Sequence, residues 1–206
     1  MTVVLDHISW RDCIQDNLII NSATRYNSAV EVVDLSQTLK DGMDVFPRDP
    51  EVKIEQIHTL EKEGWRLRYL QFSSHVGTHV DALAHMDKGG KTLDELSIDR
   101  FIGKTILVSI DNEFPENMGL AFSEGDINKE VVEKIKASNP KFVVIGSNAT
   151  LNVDPERQLL QSGIITITDL VNMGKLPKNT PFTLYAVPLK IKNGDGSPVR
   201  AFAILD

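Results

Sequence analysis

One cysteine, Cys13, is all the thiol this 206-residue chain holds. With nothing to pair with, it forms no intramolecular disulfide, and a reducing cytoplasm is the expected setting. No nucleophile pattern surrounds it, so Cys13 reads as a small apolar residue. Basic charge is short as well: 22 Lys and Arg stand against 29 Asp and Glu, a net charge of −7. That argues against non-specific nucleic-acid binding, which needs a basic surface. No apolar run approaches the roughly 18 residues of a membrane span. Asp6, Arg11, Asp12 and Asp16 occupy the region where a signal peptide has its apolar stretch, so neither a leader nor a membrane partner is expected. There is no Gly-x-Gly-x-x-Gly and no Walker loop, which leaves a nucleotide site without support. What is present suits one soluble domain: 41% hydrophobic residues are enough for a core.

The first 29 residues differ from the rest. Ile8, Cys13, Ile14 and Leu18 recur at mixed helical spacing, and a polar link, NSATRYNSA, follows. This reads as a helical N-terminal arm over 1–29, ahead of a body over 30–206. In the body, VEVVDLSQTL (30–39) reads as a strand. VKIEQIHTL (52–60) and RLRYLQFSSHV (66–76) alternate around a turn at Glu63-Gly64. TILVSID (105–111), KFVVIGS (141–147) and IITITDL (164–170) read as buried strands. The segment 122–139 reads as a helix with Ser123 and Asp126 as candidate caps and Asn139-Pro140 as its stop. PERQLLQSG is a second helix ended by Gly163. The segments 180–192 and 197–206 read as a terminal hairpin around NGDGS. Strands outnumber helices, which predicts a mixed α/β single domain on an antiparallel or mixed sheet with a few flanking helices, not a doubly wound parallel fold.

Chemistry concentrates in SSHVGTHVDALAH, residues 73–85. It holds His75, His79, Asp81 and His85. The first three are odd-numbered, so an extended chain puts them on one face, and Gly77 favours a bend or bulge that gathers them. Two imidazoles and one carboxylate suit Zn²⁺ or Mn²⁺ with open positions for water and substrate. A strand face of hydrogen-bonded histidines fits the same residues, and both readings stay open at this point. His58, on an alternating strand, reads as a surface or packed histidine.

VDLSQTL, GMDVFPRDP, SHVGTHVDALAH and GGKTLDELSIDRFIGKTILVSI together resemble the putative cyclase family, which includes bacterial kynurenine formamidases and isatin hydrolases. The family motif His-x-Gly-Thr-His-x-Asp-x-Pro-x-His is met at His75, Gly77, Thr78, His79, Asp81 and His85, with Leu83 where proline is usual. The resemblance covers about residues 30–206 and implies a metal-dependent hydrolase of swivelling β/β/α-type fold, as a homodimer or larger homo-oligomer. It implies that His75, His79 and Asp81 bind one divalent metal ion and that His85 is a catalytic acid/base. The implied substrate is a small molecule, an aryl formamide or a cyclic amide. Phe46 and Trp65 are candidates to line an apolar substrate pocket, and Arg48, where glycine is more usual, to contact an acidic substrate.

The chain also departs from that pattern. Glu156 stands where the resemblance expects a histidine and Thr168 where it expects a glutamate; GSNATLN (146–152) replaces the usual Thr-Gly-Trp segment. Glu156 remains a candidate ligand, and Asp169 follows Thr168 on what should be the opposite face of a strand. Three readings follow: a single-metal amidohydrolase with an altered ligand set, a two-metal enzyme recruiting Glu156 or Asp169, or a non-catalytic binding protein with a vestigial metal site. They differ in whether Glu156 and Thr168 face the histidine cluster.

Overall fold

The computed structural model describes residues 30–205, so the expected arm, with Cys13, lies outside them. The strands in chain order are β1 (Glu31–Asp34), β2 (Lys53–His58), β3 (Leu67–Gln71), β4 (His79–Asp81), β5 (Ile102–Leu107), β6 (Gly119–Asp126), β7 (Phe142–Thr150), β8 (Ile165–Leu170), β9 (Phe182–Tyr185), β10 (Gly196–Pro198) and β11 (Phe202–Leu205). The helices are α1 (Leu60–Glu63), α2 (Lys129–Ser138) and α3 (Val153–Gln161), with short 3₁₀ turns elsewhere. Nine strands form one sheet in the order β1-β11-β9-β5-β6-β7-β8-β4-β10. The central strands β5 to β8 run parallel, and the flanking pairs are antiparallel. The architecture is mixed α/β, as expected, although its parallel centre was not legible from the turns.

Burial explains that centre. β7 alternates Phe142 and Val144 toward one core cluster with Val143 and Ile145 toward another. A strand buried on both faces reads as an unbroken apolar run, which is what KFVVIGS is. One cluster is closed by Val131, Val132 and Ile135 of α2 and Leu159 of α3. The other lies on the opposite face of β7. Leu35, just past β1, bonds Ala201 and also accepts from Val171, just past β8. Val199 bonds Thr78 beside β4.

Two expectations need correction. Ser123 and Asp126 lie within β6, and α2 is instead capped by Asn128, whose side chain accepts from the amides of Glu130 and Val131. The terminal hairpin exists as the antiparallel pair β9–β11, but NGDGS is not its turn; the chain swings out after β9 and returns as β10 to pair with β4. The β2–β3 hairpin is closed by α1 and a left-handed Gly64 (φ 81°). It stands apart from the large sheet, and every residue of β3 is exposed.

The Phe142 ring crosses two glycines, Gly103 on β5 and Gly119 on β6. A Cβ on Gly119 would lie 2.4 Å from the ring and 2.7 Å from Thr105 Oγ1. Gly119→Ala is therefore expected to destabilise the protein by about 1–3 kcal/mol through overpacking. Adding Phe142→Leu should make the double variant less unstable than the sum of the singles. Urea midpoints test this, and strict additivity would refute the clash.

Candidate metal centre

The site is assembled on β4 and its neighbours. His79 and Asp81 share one face of β4, and Gly77, in the left-handed region at φ 57°, turns the preceding chain so that His75 folds back over them. A Cβ at Gly77 would meet Leu39 Cδ2 at 2.9 Å, so the bend is also a tight approach. Strand β4 pairs antiparallel with β8 in the register His79↔Thr168 and Asp81↔Thr166. Directly opposed residues point to the same face. Thr166 and Thr168 are thereby aimed at the cluster.

His79 Nδ1 lies 2.7 Å from the Gly77 carbonyl oxygen. A carbonyl only accepts, so Nδ1 carries the hydrogen and Nε2 offers a lone pair in the neutral ring. That Nε2 faces Asp81 Oδ1 at 3.5 Å and Thr168 Oγ1 at 3.1 Å. His75 Nδ1 lies 2.6 Å from the same Asp81 oxygen. The ligand atoms of His75, His79 and Asp81 all fall within 4.8 Å of one another. A lone pair and an ionised oxygen brought face to face need a proton or a cation between them, and two nitrogens with one carboxylate are a donor set that a divalent first-row metal accepts.

His75 reaches the other way as well. Its Nε2 is 3.0 Å from Asp195 Oδ2, and its ring is tilted 36° over that of His85 at a centroid separation of 4.0 Å. His85 Nδ1 is 3.6 Å from the same Asp195 oxygen. Asp195 was not legible as a site residue, because NGDGS carries an ordinary turn signal and its partner lies far away in sequence. His85 belongs to a 3₁₀ turn, Leu83–His85, that directly follows β4.

Electrostatics follow from burial and these contacts. Burial alone would lower both imidazoles, but hydrogen bonding and charge from Asp81 outweigh it; His75, with help from Asp195, is raised to about 9, and His79 is raised too. Burial would raise Asp81, yet hydrogen bonds from the two histidines hold it well below the usual carboxylate range. His85 is lowered by burial and then by the charge of His75.

Glu156, in the first turn of α3, meets Asp81 from behind. The Thr166 hydroxyl lies 3.0 Å from Asp81 Oδ2 and 3.0 Å from Glu156 Oε1. Burial, then the charge of Asp81, push Glu156 up to about 7. Among the described residues, Glu156 is not one of the donors that converge with His75, His79 and Asp81. Thr168 does face the cluster. Asp169 does not follow simple strand alternation: it is left-handed (φ 61°), and its carbonyl oxygen accepts from Thr78 Oγ1 and Gln37 Nε2. Phe46 and Trp65 are 64% and 56% exposed, so neither is core. Trp65 packs edge-on against His58. Arg48 is exposed at φ 85°.

The shifts of His75 and Glu156 act in one direction. Each folded pKa lies above its unfolded value, so each contributes stability that is complete below the unfolded pKa and lost as pH rises through the folded one. Glu156 acts between its ordinary 4.5 and about 7; His75 acts between its ordinary 6.5 and about 9. Metal-free protein is expected to melt at falling temperature as pH rises from about 6.5 to 9. Below 6.5 the lowered His85 acts the other way, so the Glu156 contribution is read as the difference between wild type and Glu156→Gln, and identical melting profiles of the two between about pH 4.5 and 7 would contradict a protonated Glu156.

Residues 33–167 match the family described as "Putative cyclase". Kynurenine formamidase of Salinibacter ruber is 28% identical over 207 residues, covering 82% of this chain and 95% of the relative. That of Bacillus thuringiensis subsp. konkukian is 28% identical over 203 residues, covering 83% and 96%. Isatin hydrolase A from Labrenzia aggregata, solved with benzyl benzoate, superposes with a TM-score of 0.71 at 23% identity, covering 85% of this chain and 94% of that one. A potential metal-dependent hydrolase with cyclase activity superposes at 0.69 and 20% identity, covering 85% and 98%. The structural likenesses show a shared fold. The family match spans more than half of the sequence and includes the whole His75–His85 motif, and the chain belongs to the putative cyclase family.

Proposed function

We propose that this protein is a metal-dependent hydrolase of a small amide, an aryl formamide or a cyclic amide, with one Zn²⁺ or Mn²⁺ held by His75, His79 and Asp81. The convergence of those three donors within 4.8 Å carries the reading. The kynurenine formamidases and isatin hydrolases among its relatives support the substrate class. A divalent cation bound there supplies Lewis acidity toward the amide carbonyl and lowers the pKa of water. The chain does the rest. Asp81 is buried behind the cluster and its charge draws the two histidines inward. His79 is fixed in one tautomer by the Gly77 carbonyl. His85 is 27% exposed, next to His75, and burial lowers its pKa, which favours the neutral imidazole. A neutral imidazole takes a proton from the attacking water and hands it to the departing nitrogen. Thr168 occupies a neighbouring position with a hydroxyl, not an apolar plug, which favours catalysis over a purely structural role. Phe46, Trp65 and Arg48 are proposed as substrate contacts, and an unchanged KM in Arg48→Ala would remove Arg48 from that group.

Elemental analysis of protein purified without chelator or metal resin tests the centre. About one Zn or Mn per chain is expected, lost in His79→Ala. A chain that takes up no cation after dialysis against either ion would overturn the reading. In a screen of N-formyl aryl amines and isatin-like cyclic amides, His85→Ala is expected to keep its cation and lose about 10²–10⁴-fold in kcat. Full activity in that variant would end the acid/base role of His85.

A further inference from the structure

We propose that Asp195 is a positioning residue: it receives the Nε2–H of His75 and thereby commits Nδ1 of that ring to the cation side. This rests on the reading of His75 as a ligand. The two nitrogens of His75 face two carboxylates, Asp81 at Nδ1 and Asp195 at Nε2. Only the first lies with the lone pair of His79. A ring that donates from Nε2 is left with its other nitrogen free to ligate, the outer-sphere arrangement by which carboxylates set the tautomer and aim of metal-binding histidines.

The loop around Asp195 is shaped to this contact. Asp195 Oδ1 accepts from Ser74 Oγ at 3.0 Å, which leaves Oδ2 for His75. Its main chain is pinned by Ala82 N to Asp195 O and by Leu93 N to Gly194 O, both 2.8 Å. The next residue is Gly196, where a Cβ would sit 2.4 Å from His75 Cε1, so only glycine lets the ring lie flat on the loop. The Asp195 side chain is 49% exposed, so its contact with His75 is not forced by burial of its charge. The competing role is ligation: one ring nitrogen each of His75 and His85 and an Asp195 oxygen also fall within 4.8 Å of one another, and His75 Nε2 and His85 Nδ1 are the nitrogens that face Asp195 Oδ2. His75 supplies its Nε2 lone pair to that second group only by giving up the bond to Asp195.

The test is Zn²⁺ affinity, measured on metal-free full-length protein by competition with a chromophoric chelator, for wild type, Asp195→Ala and Asp195→Asn. Asp195→Ala is expected to bind Zn²⁺ about 10–100-fold more weakly. Asp195→Asn, whose amide oxygen still accepts from Nε2–H, should recover most of that loss with an unchanged zinc count. Wild-type affinity in Asp195→Ala overturns the inference while leaving the centre intact. So does a wild-type count of two that falls to one in both variants, which makes Asp195 a ligand. Asp195→Asn as weak as Asp195→Ala also overturns it. Wild-type protein that binds no Zn²⁺ overturns the proposed function and this inference together. Melting curves of the metal-free variants show that each is folded, and Asp195→Asn carries the test if Asp195→Ala is not.

Discussion

Asp81 is 1% exposed, and a carboxylate there stays ionised only if partners replace the water it has lost. Three do so. His75 and His79 face Oδ1, and Thr166 faces Oδ2. These partners come from a bend, from β4 and from β8, so the charge can be accommodated only when all three are in place. The β4–β8 register is therefore the constraint on which the site depends. A slip of one residue would turn His79 and Asp81 to the opposite face and bury an unpaired charge among apolar side chains. The same register that organises the donors penalises its own alternatives.

The rest of the fold supplies the rigidity this needs. β8 is held on one side by β7 and on the other by β4. The crossover between β7 and β8 is α3, which lays Leu159 and Leu160 into the core and presents Glu156 toward Thr166. β10 closes the far side of β4 and brings Asp195 with it. His79, Asp81, Thr166, Thr168 and Glu156 are thus aimed by strands and a helix, while His75, His85 and Asp195 sit on a bend, a turn and a loop beside β4.

Much of this was readable in the sequence. The motif carried its meaning because its spacing is local: Gly77 permits the bend, and alternation puts His79 and Asp81 on one face. The buried strands showed as apolar runs for the same reason that they are buried. The misses are all non-local. Asn128 escapes notice as a cap because Ser123 and Asp126 offer the same capping chemistry a few residues earlier, and nothing in 122–127 alone separates a strand end from a helix start. NGDGS has the composition of a tight turn, but pairing of the following residues with β4 pulls it open, so Asp195 could not be placed. Asp169 broke alternation because β8 shifts register against β7 near that point, a feature of the pair rather than of either strand.

Glu156 and Thr168 bear on how many cations such a centre would hold. A ligand must be deprotonated to bind a metal. Glu156 adds a second carboxyl beside the already buried Asp81, and two such charges resist coexisting, so it holds its proton up to about 7. It bonds through Thr166 to Oδ2, the side of Asp81 turned away from the histidines. Thr168 offers a neutral hydroxyl 3.1 Å from His79 Nε2, a hydrogen-bond partner in place of a charged donor. Neither Glu156 nor Thr168 adds a charged donor on the Oδ1 side of Asp81, where His75 and His79 face it. Three protein donors, rather than four, is the number that catalytic zinc sites use.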